Sequence, residues 1–340
     1  MGAAKDAGDV MHWIVRRSLD GGITWTTVDD FQLNSGQDSA ALDITVDSAG
    51  RPWVTGCGGG SFSTQDCRWL VRRGDVNGLN WTTVMDFDAG KALGTSITMA
   101  GPGRVLVSGA SGNPIGWMSR LSVDDGLVWG TTDDHRLNPI DFGVAQANLA
   151  HSSGALFSAG MYLDNTLASG FWETRSSSDG GLTWNTVERF NVDVSSPDTA
   201  AGIFETLTGD IYVVGAVEGA SDGHWKVRRS SDLGLTWKTA DEFLYEPAQF
   251  HLANAGGVDL LDRPYVAGRG RDASSKEHWL IRRGDSEGGN WSTMDDFQYV
   301  AGQASEARAF VRDAAGNLYA AGFGEDGTAP HALTRKLDCL

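Results

Sequence analysis

The 340-residue chain is poor in the residues that build metal centres and disulfide frameworks. It contains three cysteines and eight prolines, and it has no Cys-x-x-Cys, His-x-His, phosphate-loop or EF-hand pattern. We therefore predict no metal site and no cofactor. A single cation held in an internal channel stays open, because no sequence motif would reveal it.

Two of the cysteines, Cys57 and Cys67, flank one short loop and lie ten residues apart. That spacing allows a bridge without requiring one, so both states stay open. A bridge would agree with an oxidising compartment. The third cysteine, Cys339, is left without an assigned bridge.

The chain also lacks long apolar runs and an excess of positive charge. No stretch approaches about 18 apolar residues, so no membrane span is expected. The formal net charge of −17 argues against nucleic acid or an anionic membrane surface as a partner. The first six residues form no signal-peptide core, so an export signal is not expected within this chain. These features favour a secreted, periplasmic or cell-surface protein.

The chain is rich in glycine and tryptophan, with 45 and 13 residues, and many of them recur in a tandem pattern. Six octapeptides follow the pattern Ser-x-Asp-x-Gly-x-Thr-Trp more or less closely, and the clearest copies are 18–25, 177–184 and 230–237. They end at Trp25, Trp81, Trp129, Trp184, Trp237 and Trp291. The spacing leaves room for about four short strands per period, so the pattern predicts a repeat architecture.

The octapeptide resembles the Asp box, or BNR repeat, of the sialidase superfamily and related β-propellers. Its serine and aspartate can hold a tight turn, its glycine supplies a positive φ, and its tryptophan fills space between neighbouring repeats. The resemblance implies that each box lies between the third and fourth strands of a blade, on the face opposite the active site.

The remaining repeat contains a Trp-x-x-Arg strand before the box, a Thr-rich strand with acids after it, and an apolar hairpin whose second strand ends in glycine. Four strands per period correspond to one propeller blade. We predict an all-β, six-bladed β-propeller of four-stranded antiparallel blades, forming a single domain over residues 1–340. The N-terminal hairpin, 12–28, is expected to close the ring by pairing with 304–322.

One segment does not fit a count of six. Residues 331–336 contain a seventh copy of the Trp-x-x-Arg strand, with Ala332 in place of tryptophan. Seven blades would leave two incomplete blades with open edges, which proteins avoid, and this favours six.

Residues that recur in every repeat are interpreted as architectural. The repeated arginines are expected to pair with repeated acids and to pack on a tryptophan. The acids are Asp30, Asp86, Asp134, Glu242 and Asp296. Histidines that share one repeat position are interpreted in the same way, namely His12, His224, His278 and His331.

Residues that differ between repeats are the candidates for function. Aligning the inner strands places one residue of each at a single level of the channel mouth: Leu42, Thr95, Gln146, Ala201, Asn254 and Arg308. Neighbouring levels contribute Asp43, Ser96, Asp198, His251 and Glu306. We predict a ligand site at Asp43, Gln146, His251, Asn254, Glu306 and Arg308. The alternative is a polar rim around a plugged channel.

Candidate catalytic residues are Glu306, Tyr299 and Asp43, with Asp43 and Glu306 as a conceivable carboxylate pair on neighbouring blades. In sialidases three arginines hold the substrate carboxylate, and the first lies in a Phe/Tyr-Arg-Ile-Pro segment that is absent here. The resemblance also implies a tyrosine nucleophile with a glutamate, and Tyr299 with Glu306 only loosely matches that arrangement.

The leading hypothesis is an extracytoplasmic binding or scaffold propeller whose partner is a glycan or another small polar ligand. The first alternative is a sialidase-like glycoside hydrolase or polysaccharide lyase acting at the channel mouth. The second is a protein-interaction platform. Two observations would discriminate among them: the distance between carboxylates at the channel mouth, and the convergence there of two or more blade-specific arginines, from Arg308, Arg269 and Arg271.

Overall fold

The computed structural model describes residues 1–60, 66–136, 138–165, 169–192, 198–219 and 222–337. These residues form strands that are joined by turns and arranged in seven antiparallel sheets. None of the described residues belongs to a helix long and apolar enough to cross a membrane.

The strands follow the repeat in chain order. The first sheet contains β1 (Gly2–Lys5), β2 (Met11–Arg17) and β3 (Thr26–Phe31). The second contains β4 (Asp38–Val46), β5 (Pro52–Gly60), β6 (Arg68–Gly74) and β7 (Trp81–Phe87). The third contains β8 (Ala92–Gly101), β9 (Arg104–Ser111), β10 (Gly116–Ser122) and β11 (Gly130–His135). The fourth contains β12 (Phe142–Ala150), β13 (Leu156–Asp164), β14 (Ser169–Ser177) and β15 (Asn185–Phe190).

The last three sheets continue the order. The fifth contains β16 (Thr199–Glu205), β17 (Ile211–Glu218), β18 (Gly223–Ser230) and β19 (Lys238–Phe243). The sixth contains β20 (Leu252–Val258), β21 (Pro264–Arg271), β22 (Glu277–Arg283) and β23 (Ser292–Phe297). The seventh contains β24 (Ser305–Arg312), β25 (Leu318–Glu325) and β26 (Pro330–Leu337).

The protein is therefore a seven-bladed β-propeller, and the prediction of six blades was wrong. Five sheets have four strands, and the first and last have three. The expected pairing of 12–28 with 304–322 does not occur. Strand β1 occupies that edge of β2, with Ala3 opposite Trp13. The seventh copy, β26, pairs along β25 instead, from Leu318 opposite Leu337 to Glu325 opposite Pro330.

The core lies between adjacent blades. The tryptophan of each Trp-x-x-Arg strand is fully buried, in the set Trp13, Trp69, Trp117, Trp172, Trp225 and Trp279. Most of these rings pack edge to face against the aromatic residue that ends the outer strand of the same blade. Trp13, for example, packs on Phe31 with ring centroids 6.4 Å apart. This repeated burial is what makes each blade depend on its neighbours.

The octapeptide turns are held by their own side chains. Ser18 Oγ donates to Asp20, and it accepts from the Gly22 amide at 2.8 Å. Thr24 donates to Asp20 through its amide at 2.9 Å and through its hydroxyl, and these bonds lower the pKa of Asp20 to about 2. The Trp25 ring NH donates to the Gly22 carbonyl oxygen at 3.0 Å. The same bonds recur at 177–184 and 230–237.

The repeated arginines tie successive blades together, but through acids one residue earlier than predicted. Five of the seven donate to an acid on the outer strand of the preceding blade, whereas Arg16 and Arg120 donate to other groups. The pairs are Arg72 with Asp29, Arg175 with Asp133, Arg228 with Glu188, Arg282 with Asp241, and Arg335 with Asp295. Neighbouring residues on a strand point to opposite faces. The predicted acids therefore face elsewhere, and Asp30 contacts His12 at 2.7 Å.

Cys57 and Cys67 form a disulfide. Both are buried, and the bridge joins β5 to the residue before β6. The third cysteine, Cys339, lies outside the described residues.

Candidate functional site

The channel wall is shaped by a β-bulge in each of the six inner strands, β4, β8, β12, β16, β20 and β24. In each bulge one residue is left without a partner on the adjacent strand. In β4 the register passes from Ala41 to Asp43 and leaves out Leu42. The corresponding residues of the other strands are Thr95, Gln146, Ala201, Asn254 and Arg308. These are the six residues that the sequence alignment placed at one level.

A glycine opposite each bulge makes this geometry achievable. Gly56 pairs with Ala41, and a Cβ at Gly56 would overlap the carbonyl oxygen of Ala40 and approach Trp13 of the preceding blade to 2.8 Å. The equivalent glycines are Gly109, Gly160, Gly215, Gly268 and Gly322, each with a carbonyl oxygen in the same place. The glycine ending the second strand of each repeat is thus the sequence signal for the bulge.

The bulged residues line an open cavity of about 440 Å³ between the inner strands. Its lining consists of Leu42, Thr95, Gln146, Ala201, Leu252, Asn254, Arg269, Glu306 and Arg308. The charged groups are on the sixth and seventh blades, whereas Leu42 on the second blade and Ala201 on the fifth contribute apolar surface. Such a cavity can hold a small polar ligand in one orientation.

Glu306 is the best-anchored charge in the cavity. Its side chain is only 4 % exposed. Asn254 Nδ2 donates to Oε1 at 2.9 Å, and the Arg308 guanidinium donates to Oε2 through Nε at 3.0 Å and Nη2 at 2.9 Å. The Arg308 side chain is 63 % exposed, so its other donors remain open to solvent. Glu306 therefore holds Arg308 in place without covering it.

A second arginine reaches the same carboxylate from the sixth blade. Arg269 Nη1 lies 3.8 Å from Glu306 Oε2 and donates to Glu277 Oε1 at 2.9 Å. Arg271 Nη2 donates to the same Glu277 oxygen at 3.1 Å. Three guanidinium groups and two carboxylates thus leave one net positive charge beside the cavity, in a chain of net charge −17.

Gln146 and Thr95 lie on the wall that faces away from this cluster. The single hydrogen of the Thr95 hydroxyl is shared between the backbone carbonyl oxygens of Ser108 and Ala145, so its donor is already occupied. The Gln146 amide makes no hydrogen bond with the described part of the chain. It is therefore free to meet a ligand.

Asp43 does not line the cavity. It follows the bulged Leu42, and its Oδ2 accepts from Ser96 Oγ at 3.0 Å and the Ile97 amide at 2.8 Å on the next blade. Burial raises the pKa of Asp43 to about 6. The expected pairing of Asp43 with Glu306 on neighbouring blades fails, because they belong to the second and seventh blades and the first blade lies between them.

His251 and Asp198 anchor loops. His251 is fully buried; its Nδ1 accepts from the Arg271 amide at 3.1 Å, and its Nε2 donates to the Glu246 carbonyl oxygen at 2.9 Å. Asp198 accepts from the Val192 amide at 2.8 Å and from another amide on its own blade. Ser39 and Ser305 occupy the same repeat position and accept loop amides as well. The position is architectural, although its residue type varies.

Tyr299 lies in the loop before β24 and is not part of the cavity lining. Its ring is 43 % exposed and contacts the ring of His331, with centroids 5.3 Å apart. Its amide donates to Ser305 Oγ at 2.9 Å. The structure thus separates Tyr299 from the polar group that Glu306, Asn254 and Arg308 form.

Arg269 and Leu252 were not among the predicted ligand-binding residues. Arg269 lies on β21, opposite Leu252 on β20, and both line the cavity. An arginine directly after the glycine of the second strand, as in Gly268-Arg269, occurs in no other blade and was the available signal. Within the described residues no three metal-binding side chains converge, so the cavity contains no recognisable metal site.

The fold is similar to that of several solved β-propellers. A protein of unknown function from Dyadobacter fermentans superimposes with a TM-score of 0.60 and 13 % identity, covering 87 % of this chain and 94 % of its own. A Trypanosoma rangeli sialidase in complex with sialic acid gives 0.57 and 13 %, covering 95 % of this chain and 56 % of the sialidase. An α-L-arabinofuranosidase from Fusarium graminearum, solved with an iminosugar inhibitor, gives 0.53 and 12 %, covering 87 % and 92 %.

No protein-family model matches this chain, and no curated protein sequence does. At such low identities the structural similarity shows the fold alone, which is a β-propeller. The chain spans little more than half of the sialidase's length.

Proposed function

We propose that this protein is an extracytoplasmic binding propeller whose ligand is a saccharide bearing a carboxylate. The observation that carries the proposal is the convergence of Arg308, Arg269 and Asn254 on one cavity, with Arg308 held by Glu306 but still open to solvent. Guanidinium groups bind carboxylates through paired, charge-assisted hydrogen bonds. The free Gln146 amide and the apolar wall at Leu42 suit the hydroxyls and the ring face of a sugar.

Binding is favoured over hydrolysis by the chemistry of the lining. Glycoside hydrolysis generally uses two carboxyl groups, roughly 5–10 Å apart, on either side of the bond to be broken. Among the described residues of the lining, Glu306 is the only carboxylate, and both of its oxygens already accept hydrogen bonds. Glu306 is therefore arranged to hold Arg308 in position rather than to donate a proton as a general acid.

A glycan array followed by calorimetric titration tests this proposal. We expect retention of glycans that end in, or contain, carboxylated sugars, and little retention of their neutral counterparts. Reducing the ligand's carboxylate to an alcohol should abolish binding. Equal affinity for acidic and neutral glycans, or no glycan bound at all, would contradict the proposal.

A glycoside hydrolase is the second candidate, because the similar structures include a sialidase and an arabinofuranosidase. A panel of chromogenic glycosides tests it directly. If one is hydrolysed, Glu306→Gln should abolish turnover while leaving the fold intact. Turnover that survives this substitution would place any catalysis outside the cavity.

A further inference from the structure

The arginines on β21 continue beyond the lining of the cavity. Arg269 and Arg271 are two residues apart, so both side chains leave the same face of the strand, about 7 Å apart along it. Arg269 lines the cavity and pairs with Leu252, the first residue of β20. Arg271 is the last residue of β21 and is outside the lining. It is therefore level with the loop that precedes β20, at the rim of the cavity.

The two arginines share one carboxylate oxygen. Arg271 donates to Glu277 Oε1 through Nε at 3.3 Å and Nη2 at 3.1 Å, and Arg269 Nη1 donates to the same oxygen at 2.9 Å. Glu306 does not supply the missing charge, because it accepts from Arg308 and lies 3.8 Å from Arg269. One guanidinium charge is thus left without a carboxylate of its own.

Asp272 follows Arg271 in the chain but makes other contacts. Its Oδ1 accepts from the amides of Ser274 at 2.8 Å and Lys276 at 2.9 Å, which closes a turn. Its Oδ2 lies 3.4 Å from His278 Nε2. Among the residues that the structure describes, Glu277 is therefore the only acid that forms an ion pair with Arg271.

Arg271 is accessible to a ligand. Its side chain is 37 % exposed, compared with 20 % for Arg269. A guanidinium group carries five N–H donors. Only Nε and Nη2 of Arg271 are directed at Glu277, and Nη1 makes no hydrogen bond in the described ranges of the chain. These free donors point to an anion as the missing partner.

His251 fixes the backbone of Arg271. The ring is fully buried, and its Nδ1 accepts from the Arg271 amide at 3.1 Å while its Nε2 donates to the Glu246 carbonyl oxygen at 2.9 Å. Burial lowers the pKa of His251, which favours the neutral ring that can accept at one nitrogen. The end of β21 is thereby tied to the loop before β20, so Arg271 stands on a rigid support.

Phe250 places an aromatic ring beside these arginines. It is partly exposed, and its ring centroid lies 5.8 Å from Arg269 Cζ. The residues on either side of it are bonded to Gly223 of the fifth blade: the Gly223 amide donates to the Gln249 carbonyl oxygen, and the His251 amide donates to the Gly223 carbonyl oxygen, both at 3.0 Å. A Cβ at Gly223 would overlap the Phe250 ring. The rim therefore combines a fixed aromatic surface with a free cation, which suits a charged sugar.

We propose that Arg271 and Phe250 form a second subsite, and that the ligand is an acidic oligosaccharide with carboxylates on at least two of its units. The inference rests on the proposed function, since it extends the cavity site by a further sugar. One carboxylate would bind Arg308 and Arg269 in the cavity, and the second would bind the free donors of Arg271. Because the two sugars are linked, the second contact is intramolecular and raises the affinity of the whole ligand.

The probes are galacturonate, mannuronate, guluronate and sialic acid, each as the monosaccharide and as its own disaccharide, titrated by calorimetry against the intact protein. In a series that binds, we expect the disaccharide to bind at least about tenfold more tightly than the monosaccharide. A disaccharide with one of its two carboxylates reduced to an alcohol should lose this gain. That control separates the second charge from the larger size of the ligand.

The ratio of disaccharide to monosaccharide affinity is the readout for the variants. Arg271→Ala should bring the ratio close to one, and Arg271→Lys should give an intermediate value because it keeps the charge but loses the planar donors. Arg308→Ala should weaken both ligands alike. Lys238→Ala, at an exposed lysine on the fifth blade, should leave both affinities unchanged.

Equal affinity for monosaccharide and disaccharide in every series that binds would overturn the second subsite and leave the proposed function standing. An Arg271→Ala protein that melts like the parent and keeps the full gain would do the same. If no series binds, the second subsite also falls, and the glycan array decides the rest. Retention there of a glycan with a single carboxylate keeps the proposed function, whereas retention of no acidic glycan removes both.

Discussion

Arg228 on the fifth blade donates to Glu188 on the fourth blade through Nε at 2.8 Å and Nη2 at 2.7 Å. Its guanidinium also lies over Phe190, 4.4 Å from the ring centroid. One side chain thus joins two sheets through a charged pair and an aromatic contact. The same arrangement recurs at Arg72, Arg282 and Arg335, which makes these arginines ties between blades rather than ligand-binding residues.

Arg228→Ala is therefore expected to destabilise the fold. Glu188 is buried, and burial already raises its pKa, so losing its partner leaves an uncompensated carboxyl group. We expect the free energy of unfolding to fall by about 3 kcal/mol, as measured by chemical denaturation. Lys238→Ala, at an exposed lysine, should change it little. Reduced glycan binding with unchanged stability would show that the arginine has a functional role.

The glycine opposite each bulge should resist substitution. A Cβ at Gly215 would overlap the Thr199 carbonyl oxygen and approach Ala200 Cα to 3.0 Å, so Gly215→Ala should cost about 1–3 kcal/mol in stability. Gly130 has no heavy atom within 4 Å of such a Cβ, and its substitution is the control. Thermal melts that rank the two variants equally would mean that the bulge can relax.

The repeat unit could be predicted from the sequence because its signals are local. The octapeptide turns are bonded within eight residues, and the tryptophans recur at a fixed place. The number of blades could not be predicted from the sequence, because it depends on which strand pairs with each edge of β2 and β25. Strand β1 (Gly2–Lys5) is short and its sequence pattern is weak. It nevertheless pairs with the edge of β2 that a six-bladed ring would have joined to β25.

The candidate site could be predicted from the sequence only at the repeat position that carries the bulge in every inner strand. Aligning them on glycine found the bulged residues from Leu42 to Arg308, because the bulge and its glycine recur together. Asp43 and His251 were predicted at the mouth because their positions look blade-specific; neither lines the cavity, and their side chains bond to backbone amides of a neighbouring blade or strand. A position can vary between blades because each blade meets the same structural need with a different residue. Variation alone therefore does not identify a functional position.

Asp198 should make stability depend on pH in a defined window. Burial raises its pKa to about 6, with Glu218 and Lys226 as the nearest charges. Between its ordinary value near 3.8 and about 6 the folded protein holds a proton that the unfolded chain has released, so stability falls as pH rises through this range. Asp198→Asn should remove a fall on the order of 2–3 kcal/mol.

The measurement is the free energy of unfolding at several pH values from about 4 to 7. At low pH the variant should be less stable than the parent, because an asparagine side chain offers one acceptor oxygen to the Val192 and Glu218 amides, whereas the carboxyl group offers two. The informative quantity is the slope of the free energy of unfolding against pH. A slope equal to that of the parent would assign the titration to another group, Asp43 first, because burial raises its pKa to about 6 as well.

Arg308 provides the sharpest test of the cavity. It is the only bulged residue with a charge, it is 63 % exposed, and Glu306 fixes its guanidinium beside the open space. If a carboxylated saccharide binds there, Arg308→Ala should cost about 1.5–3 kcal/mol of binding free energy, the usual scale for hydrogen bonds to charged groups. Arg308→Lys keeps the charge but loses the planar pair of donors, so calorimetry should find it intermediate.

Stability separates this loss from a folding defect. Arg308→Ala removes the close charged partner of the buried Glu306 carboxylate, which keeps Asn254 as a donor and Arg269 Nη1 at 3.8 Å, so the variant should melt below the parent. Its binding is therefore measured at a temperature at which melts show both proteins to be fully folded. Arg269→Ala should weaken the same ligand, because its guanidinium lines the cavity from the sixth blade. An Arg308→Ala variant that binds as well as the parent, or a ligand bound on the face of the octapeptide turns, would remove the cavity as the binding site.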